Sequence, residues 1–157
     1  MSSSENRHRR ASNLTSSVSA IAIITYLGTV GNVAAQTVIN DGDNVTVTSA
    51  ANGETIEVAA GVSSTVSNAP VVVFNNDDVT LENAGRLSTT GVTQTVQVGP
   101  SVERGTINNA ATGSIEAESR VINIQNTGLT VNNTGQIIGS GDQRNGTVYA
   151  DLSLIHI

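Results

Sequence analysis

The stretch Leu129-Thr-Val-Asn-Asn-Thr-Gly-Gln-Ile-Ile-Gly139 contains the third copy of a motif that recurs in this chain. The two earlier copies are Thr80-Leu-Glu-Asn-Ala-Gly-Arg-Leu87 and Thr106-Ile-Asn-Asn-Ala-Ala-Thr-Gly-Ser-Ile115. All three contain Thr, an aliphatic residue, a polar residue and Asn, followed by a turn with Gly and a further aliphatic residue. Their threonines recur at a spacing of about 25 residues, and a period of this length is the signature of a repeat architecture.

A second motif lies between these copies and has a similar period. It consists of Val96-Gln-Val98, Ile122-Asn-Ile124 and Val148-Tyr-Ala150, which are evenly spaced along the chain. The pieces alternate apolar and polar residues and favour β-branched types, which predicts strands with one buried face. A β-sandwich can use such strands, but it does not require the same turn residues at every repeat.

These repeats predict an all-β fold, a right-handed parallel β-helix with about five rungs over residues 36–151. Like residues are then expected to stack about 4.8 Å apart along the axis. The predicted ladder at one corner consists of Asn83, Asn109 and Asn133, with a left-handed backbone and amide stacking. The predicted inward columns are Leu81, Ile107 and Val131; Leu87, Ile115 and Ile137; and Val96, Ile122 and Val148.

The composition of the 157-residue chain agrees with a narrow aliphatic core. Aromatic residues make up 2% and charged residues 13%, and the chain has no Cys and no Lys. Without Cys there is no disulfide scaffold and no thiolate metal site. Asn, Thr, Ser and Gly occupy most of the remaining positions, and these residues are typical of short strands joined by turns.

Residues 1–35 are predicted to be a secretory signal peptide. Arg7, Arg9 and Arg10 form a basic start, residues 18–30 are mostly apolar, and small residues precede a cleavage site between Ala35 and Gln36. The apolar run is shorter than the roughly 20 residues of a membrane-spanning helix. The alternatives are a buried helix and a membrane anchor. Cleavage would leave 4 Arg and 12 acidic residues, a net charge of −8. Such a surface disfavours binding to nucleic acid.

Candidate catalytic residues are scarce in the predicted mature chain. His8 lies in the signal peptide and His156 in the tail, and no Gly-x-Ser-x-Gly motif occurs. The paired acids are Asp77 and Asp78, Asp41 and Asp43, and Glu116 and Glu118. Arg104 and Arg120 are expected to lie near Glu116 and Glu118 and to form exposed ion pairs with them. Residues 41–44 are interpreted as a capping turn, with weak Ca²⁺ binding as the alternative. No catalytic, cofactor-binding or metal-binding residue is therefore assigned.

The two longer motif copies, over residues 105–115 and 129–139, resemble the rungs of bacterial autotransporter passenger domains of the pertactin-like, adhesin type. The resemblance extends over residues 36–151 and is firmest from Val79 onward. It implies the N-terminal part of a larger product, exported through the inner membrane of a Gram-negative cell and followed by an outer-membrane β-barrel. Residues 152–157 break the repeat and are interpreted as an anomalous or truncated tail.

Two functions remain open from the sequence. The first is a surface-exposed or secreted structural protein or adhesin, which binds host-surface, matrix or bacterial-surface ligands. The alternative is a secreted carbohydrate-active enzyme, a polysaccharide lyase or glycoside hydrolase, on the same scaffold. A glycosidase needs two carboxylates at a set separation. The scattered acids and the lack of Lys favour the adhesin, so the chain is not expected to be an enzyme.

Overall fold

The computed structural model describes residues 34–125 and 128–140, together with the backbone of residues 148–150. Every regular element in these residues is a β-strand. In chain order the strands are β1 (Gln36–Ile39), β2 (Val47–Thr48), β3 (Thr55–Val58), β4 (Ser63–Ser67), β5 (Val72–Phe74), β6 (Val79–Asn83), β7 (Arg86–Thr90), β8 (Val96–Val98), β9 (Gly105–Asn109), β10 (Ser114–Ala117), β11 (Ile122–Ile124), β12 (Leu129–Asn133), β13 (Gln136–Gly139) and β14 (Val148–Ala150).

Three parallel sheets build the fold. Sheet A has the order β1-β3-β6-β9-β12, sheet B β2-β5-β8-β11-β14, and sheet C β4-β7-β10-β13. From β3 onward the chain visits sheets A, C and B in turn, and each strand pairs with the strand one circuit away. The described residues therefore form a β-solenoid of about four turns. This confirms the predicted fold class, although the sequence predicted about five rungs over residues 36–151.

The strand registers place like residues above one another. Leu81 pairs with Ile107, which pairs with Val131 on the other side, and all three are buried. Leu87, Ile115 and Ile137 form a second column, and Val96, Ile122 and Val148 are aligned in sheet B. All three predicted columns are thus present as backbone registers. Aliphatic side chains fill the narrow space between the sheets because alternate residues of every strand point inward.

The largest side chain of the core, that of Phe74, packs beside a glycine, which has no side chain. Phe74 in β5 is fully buried. Gly105 in β9 lies beside it, and a Cβ atom there would lie 3.1 Å from Phe74 Cδ2 and 3.2 Å from Leu129 Cδ1. Val79 and Leu129 hold the corresponding positions in the adjacent strands of sheet A. The glycine therefore leaves the space that the ring occupies.

The first circuit is shorter than the others because it has no strand in sheet C. Gln36 pairs with Thr55, whereas Thr55 pairs with the more distant Thr80. The segment between β1 and β2 covers the free edge of β4 instead. Gly42 N donates to Ser63 O at 2.9 Å, and Ser63 N donates to Asp41 Oδ1 at 3.0 Å. This arrangement satisfies backbone groups that an edge strand would otherwise expose.

Candidate functional site

The outward side of sheet A carries two continuous columns of side chains. One column contains Thr55, Thr80, Thr106 and Thr130, one from each of β3, β6, β9 and β12. The other contains Glu57, Glu82, Asn108 and Asn132 in the same four strands. We call these eight side chains the polar face. They arise from period-2 alternation, because outward polar residues alternate with inward residues along these strands.

Hydrogen bonds along the second column converge on its two carboxylates. Asn132 Nδ2 donates to Asn108 Oδ1 at 2.8 Å, and Asn108 Nδ2 donates to Glu82 Oε1 at 2.7 Å. From the other end, Gln36 Nε2 donates to Glu57 Oε2 at 2.7 Å. Glu57 and Glu82 are paired residues of adjacent strands. One oxygen of each carboxylate has no partner among the described residues.

A shallow groove of about 410 Å³ runs along the second column. It is lined by Glu57, Glu82, Asn108 and Asn132, by small residues from the following turns, and by the buried residues Val58, Asn83 and Asn109. The small residues are Ala59, Ala60, Ala84 and Ala110, with Thr134 in the last turn. Because the alanine side chains are one carbon long, the groove stays open across four successive strands of sheet A.

Glycines set the close approach of the turns at this corner. A Cβ on Gly85 would lie 2.5 Å from Val62 O, and one on Gly113 would lie 2.5 Å from Asn83 O. Neither glycine has a positive φ. The recurring Gly of the motif is therefore needed for space between successive turns, and its backbone freedom is not used.

The three motif asparagines form a hydrogen-bonded ladder, and two of them, Asn83 and Asn109, also line the groove. Asn83 Nδ2 donates to Asn109 Oδ1 and Asn109 Nδ2 to Asn133 Oδ1, both at 2.7 Å. Asn83 and Asn109 are buried, and Asn133 is half-buried. Asn83 Oδ1 has no partner because Val58, which cannot donate a hydrogen bond from its side chain, holds this position in β3.

The backbone of this ladder differs from the expectation. We expected the asparagines to adopt a left-handed conformation at a corner. Among the described non-glycine residues, a positive φ occurs at Asn68 and Asp78, where it is 54° and 59°. The ladder asparagines instead end strands β6, β9 and β12. Their extended backbone points the amides inward, so that they bond along the axis.

Most acids singled out in the sequence are engaged in contacts between turns. Arg104 Nε donates to Asp78 Oδ1 at 2.7 Å, and Glu103 N donates to Asp77 Oδ1 at 2.6 Å. The Arg104 hydrogen bond holds the pKa of Asp78 below its usual value of 3.8, against a smaller opposing effect of desolvation. Arg104 therefore forms an exposed ion pair, but its partner is Asp78 one turn away and not Glu116 or Glu118 as expected.

Glu116 pairs with an arginine that the sequence analysis did not single out. Arg86 Nη2 lies 2.6 Å from Glu116 Oε2, and Arg86 Nε donates to Oε1 at 3.0 Å. This bidentate contact is the main cause that holds the pKa of Glu116 below 4.5. Glu118 accepts a hydrogen bond from Gly91 N at 2.6 Å. Both acids therefore link successive turns.

Glu54 is a buried acid that no pattern in the sequence revealed. Its side chain accepts hydrogen bonds from Thr37 Oγ1 at 2.6 Å, from Ala50 N at 2.5 Å and from Ala51 N at 3.3 Å. It fastens the turn before β3 to the first strand. In the sequence, Glu54 directly follows Asn52-Gly53. This dipeptide indicates a turn but does not indicate that the next side chain is buried.

The possible cation site at residues 41–44 has its carboxylates occupied by backbone donors. Asp43 Oδ2 accepts from Asn40 N at 2.8 Å, and Asp41 Oδ1 accepts from Ser63 N. These contacts are those of a capping turn. Across the described residues, no group of three or more His, Cys, Asp or Glu side chains is arranged to hold a metal ion.

The predicted cleavage site lies at the start of the solenoid. Ala35 O accepts a hydrogen bond from Thr55 N at 2.9 Å, and Gln36 is the first residue of β1. The rest of the predicted signal peptide, residues 1–33, and the tail at 152–157 lie outside the described residues. In the described part, no helix is long and apolar enough to cross a membrane.

No family model, curated protein or solved structure matches this chain. The chemistry of the polar face is therefore inferred from its own residues.

Proposed function

We propose that this chain is part of a surface-exposed or secreted passenger protein of the autotransporter type, and that it acts as a structural or adhesive β-solenoid outside a Gram-negative cell. In this proposal the signal peptide is cleaved between Ala35 and Gln36, and a downstream outer-membrane β-barrel anchors the product. Its ligands are molecules of host surfaces, matrix or other bacteria.

The polar face is the observation that supports this proposal. Four strands of sheet A present outward Thr, Glu and Asn side chains in register, and amide hydrogen bonds tie successive turns together. The face stands on a packed aliphatic interior, so its side chains keep a fixed spacing of about 4.8 Å along the axis. A rigid array with a fixed repeat suits the binding of an extended partner.

An adhesion assay with the full chain tests the proposal. The exported protein is purified from a Gram-negative host, coated on beads, and measured for binding to epithelial cells, matrix proteins and bacterial cells. Thr106→Arg places a large side chain on the polar face. Thr65→Arg is the matched control, because Thr65 is an outward residue of β4 in sheet C.

We expect wild-type and Thr65→Arg beads to bind at least one of these surfaces, and Thr106→Arg beads to lose most of that binding. N-terminal sequencing of the exported protein should begin at Gln36. Beads that bind none of the surfaces, or release of sugars from polysaccharide substrates by the purified protein, would contradict the adhesive function.

A further inference from the structure

The groove beside the polar face has a negative charge that the described residues do not neutralise. Glu57 and Glu82 line it, and no basic side chain of the described residues does. The arginines of the described ion pairs lie elsewhere, since Arg86 is bound to Glu116 and Arg104 to Asp78. Like charges opposite each other on adjacent strands destabilise a sheet. A cationic occupant would remove this repulsion.

The chemistry of the groove lining indicates which kind of cationic group fits it. This lining offers carboxylate and amide oxygens together with the methyl groups of four alanines. Lysine and arginine side chains combine an apolar stem with a charged head. Such a side chain can lie with its stem on Ala84 and Ala110 and its head against a carboxylate. Adjacent strands are about 4.8 Å apart, so one cationic head can contact both carboxylates.

The length of the groove indicates an extended occupant. It runs along the solenoid axis over four strands, from Glu57 in β3 to Asn132 in β12. A folded domain would contact mainly the rim of so shallow a groove. Anionic polymers, including nucleic acids and acidic glycans, are repelled by the same carboxylates.

We propose that this groove binds an extended polypeptide segment rich in Lys or Arg, with its basic side chains against Glu57 and Glu82. The inference builds on the proposed adhesive function, because it names the face and the chemical class of the partner. Binding is electrostatically steered by the acidic chain and weakens as salt rises.

The test measures binding of a fluorescein-labelled octalysine peptide to the purified full chain by anisotropy, at low and at physiological ionic strength. A glycine-serine octapeptide and a neutral cello-oligosaccharide are the comparison probes. The double variant Glu57→Gln/Glu82→Gln removes the charge and keeps the oxygens that accept from Gln36 and Asn108. The double variant Glu103→Gln/Glu118→Gln makes the same change in net charge outside the groove. Ala110→Tyr places a large side chain in the lining of the groove and leaves the charge unchanged.

We expect octalysine to bind and the glycine-serine peptide not to. The Glu57→Gln/Glu82→Gln variant should lose about tenfold in affinity, or about 1.4 kcal/mol, and Ala110→Tyr should also bind more weakly. The Glu103→Gln/Glu118→Gln variant should stay within about twofold of wild type.

Three results would overturn the proposal. Equal losses in both double variants would show that only net charge matters. Full binding by Ala110→Tyr would show that the groove is not used, and tighter binding of the cello-oligosaccharide than of octalysine would identify a glycan site. Because this assay is done in solution, its failure leaves the adhesion result untouched, and beads that fail to adhere do not affect the peptide measurement.

Discussion

At the scale of single residues, Asn108 and Asn109 show how burial determines the contribution of a hydrogen bond to the stability of the fold. They are neighbours in β9, and each bonds through its side-chain amide to residues one turn away on both sides. Asn109 is 1% exposed, while Asn108 lies on the outward side. Water can replace the partners of Asn108, but no water can replace those of a buried amide without cost.

Asn109→Ala is expected to lower the free energy of unfolding by about 2–4 kcal/mol, since it leaves Asn133 Oδ1 without its donor and Asn83 Nδ2 without its main acceptor. Asn108→Ala makes the same chemical change in the same strand and should cost below about 1 kcal/mol. Urea unfolding of both variants measures the difference. Similar losses would show that burial does not set the strength of the ladder.

The ion pair of Glu116 makes a prediction about pH. The pKa of Glu116 in the folded chain lies below its usual 4.5, mainly because Arg86 hydrogen-bonds the carboxylate. The charged form therefore stabilises the fold. This contribution is complete above pH 4.5 and is lost as the pH falls through the folded-state pKa.

Arg86→Gln should raise the pKa of Glu116 toward 4.5 in a carboxyl NMR titration and reduce the acid sensitivity of folding that this pair causes. Arg104→Gln is the control. It should raise the pKa of Asp78 and leave that of Glu116 unchanged, because Arg104 contacts Asp78. An unchanged Glu116 titration in Arg86→Gln would contradict the assignment of the pair.

At the scale of the strands, the stability of each element depends on its neighbours in adjacent turns. Strands of two to five residues are too short to be stable alone. They persist because each buries its inward residues against a column of similar residues. Phe74 and Gly105 are the clearest case, since a large residue in sheet B is matched by the absence of a side chain in sheet A.

Gly105→Ala is expected to destabilise the fold by about 1–3 kcal/mol, although alanine usually suits a strand better than glycine, because the new methyl group would press on Phe74 and Leu129. Adding Phe74→Leu should relieve this pressure. A double-mutant cycle by denaturant unfolding should then show a coupling energy of about 1 kcal/mol or more. Additive effects would mean that the two positions do not share the space.

At the scale of the whole molecule, the described solenoid is a stack of interchangeable turns. Thr55 pairs with Thr80, and Thr80 pairs with Thr106. Removal of residues 80–105 would therefore bring Thr106 to the position of Thr80, with every later strand still in register. The stability of such stacks is approximately a sum over turns and their contacts.

We expect the chain without residues 80–105 to fold as a shorter β-solenoid, with a denaturant m-value lower by about a quarter, since one of about four turns is lost. Deletion of residues 80–92 is the control. It removes half a turn, namely β7 and all of β6 except Val79, so that β5 is followed directly by β8 of the same sheet, and it should prevent stacking beyond β5. Equal unfolding behaviour of the two deletions in circular dichroism would contradict the modular description.

Much of this architecture is predictable from the sequence because the relevant forces are local and repeated. Alternation in the motif copies identifies the strands and their inward residues. The nearly constant spacing of these copies aligns Leu81 with Ile107 and brings Asn83, Asn109 and Asn133 to the same corner. Only stacking of successive turns makes use of such a period.

Other features were decided by the tertiary structure alone. These are the shorter first turn, the buried Glu54, the match of Phe74 with Gly105, and the pairing of Arg86 with Glu116. The three contacts join residues from different turns, and the number of residues between the partners varies with the length of the loops. The physical reason is that side-chain contacts between turns depend on how far each loop displaces the next strand, which a repeating pattern of strands does not specify.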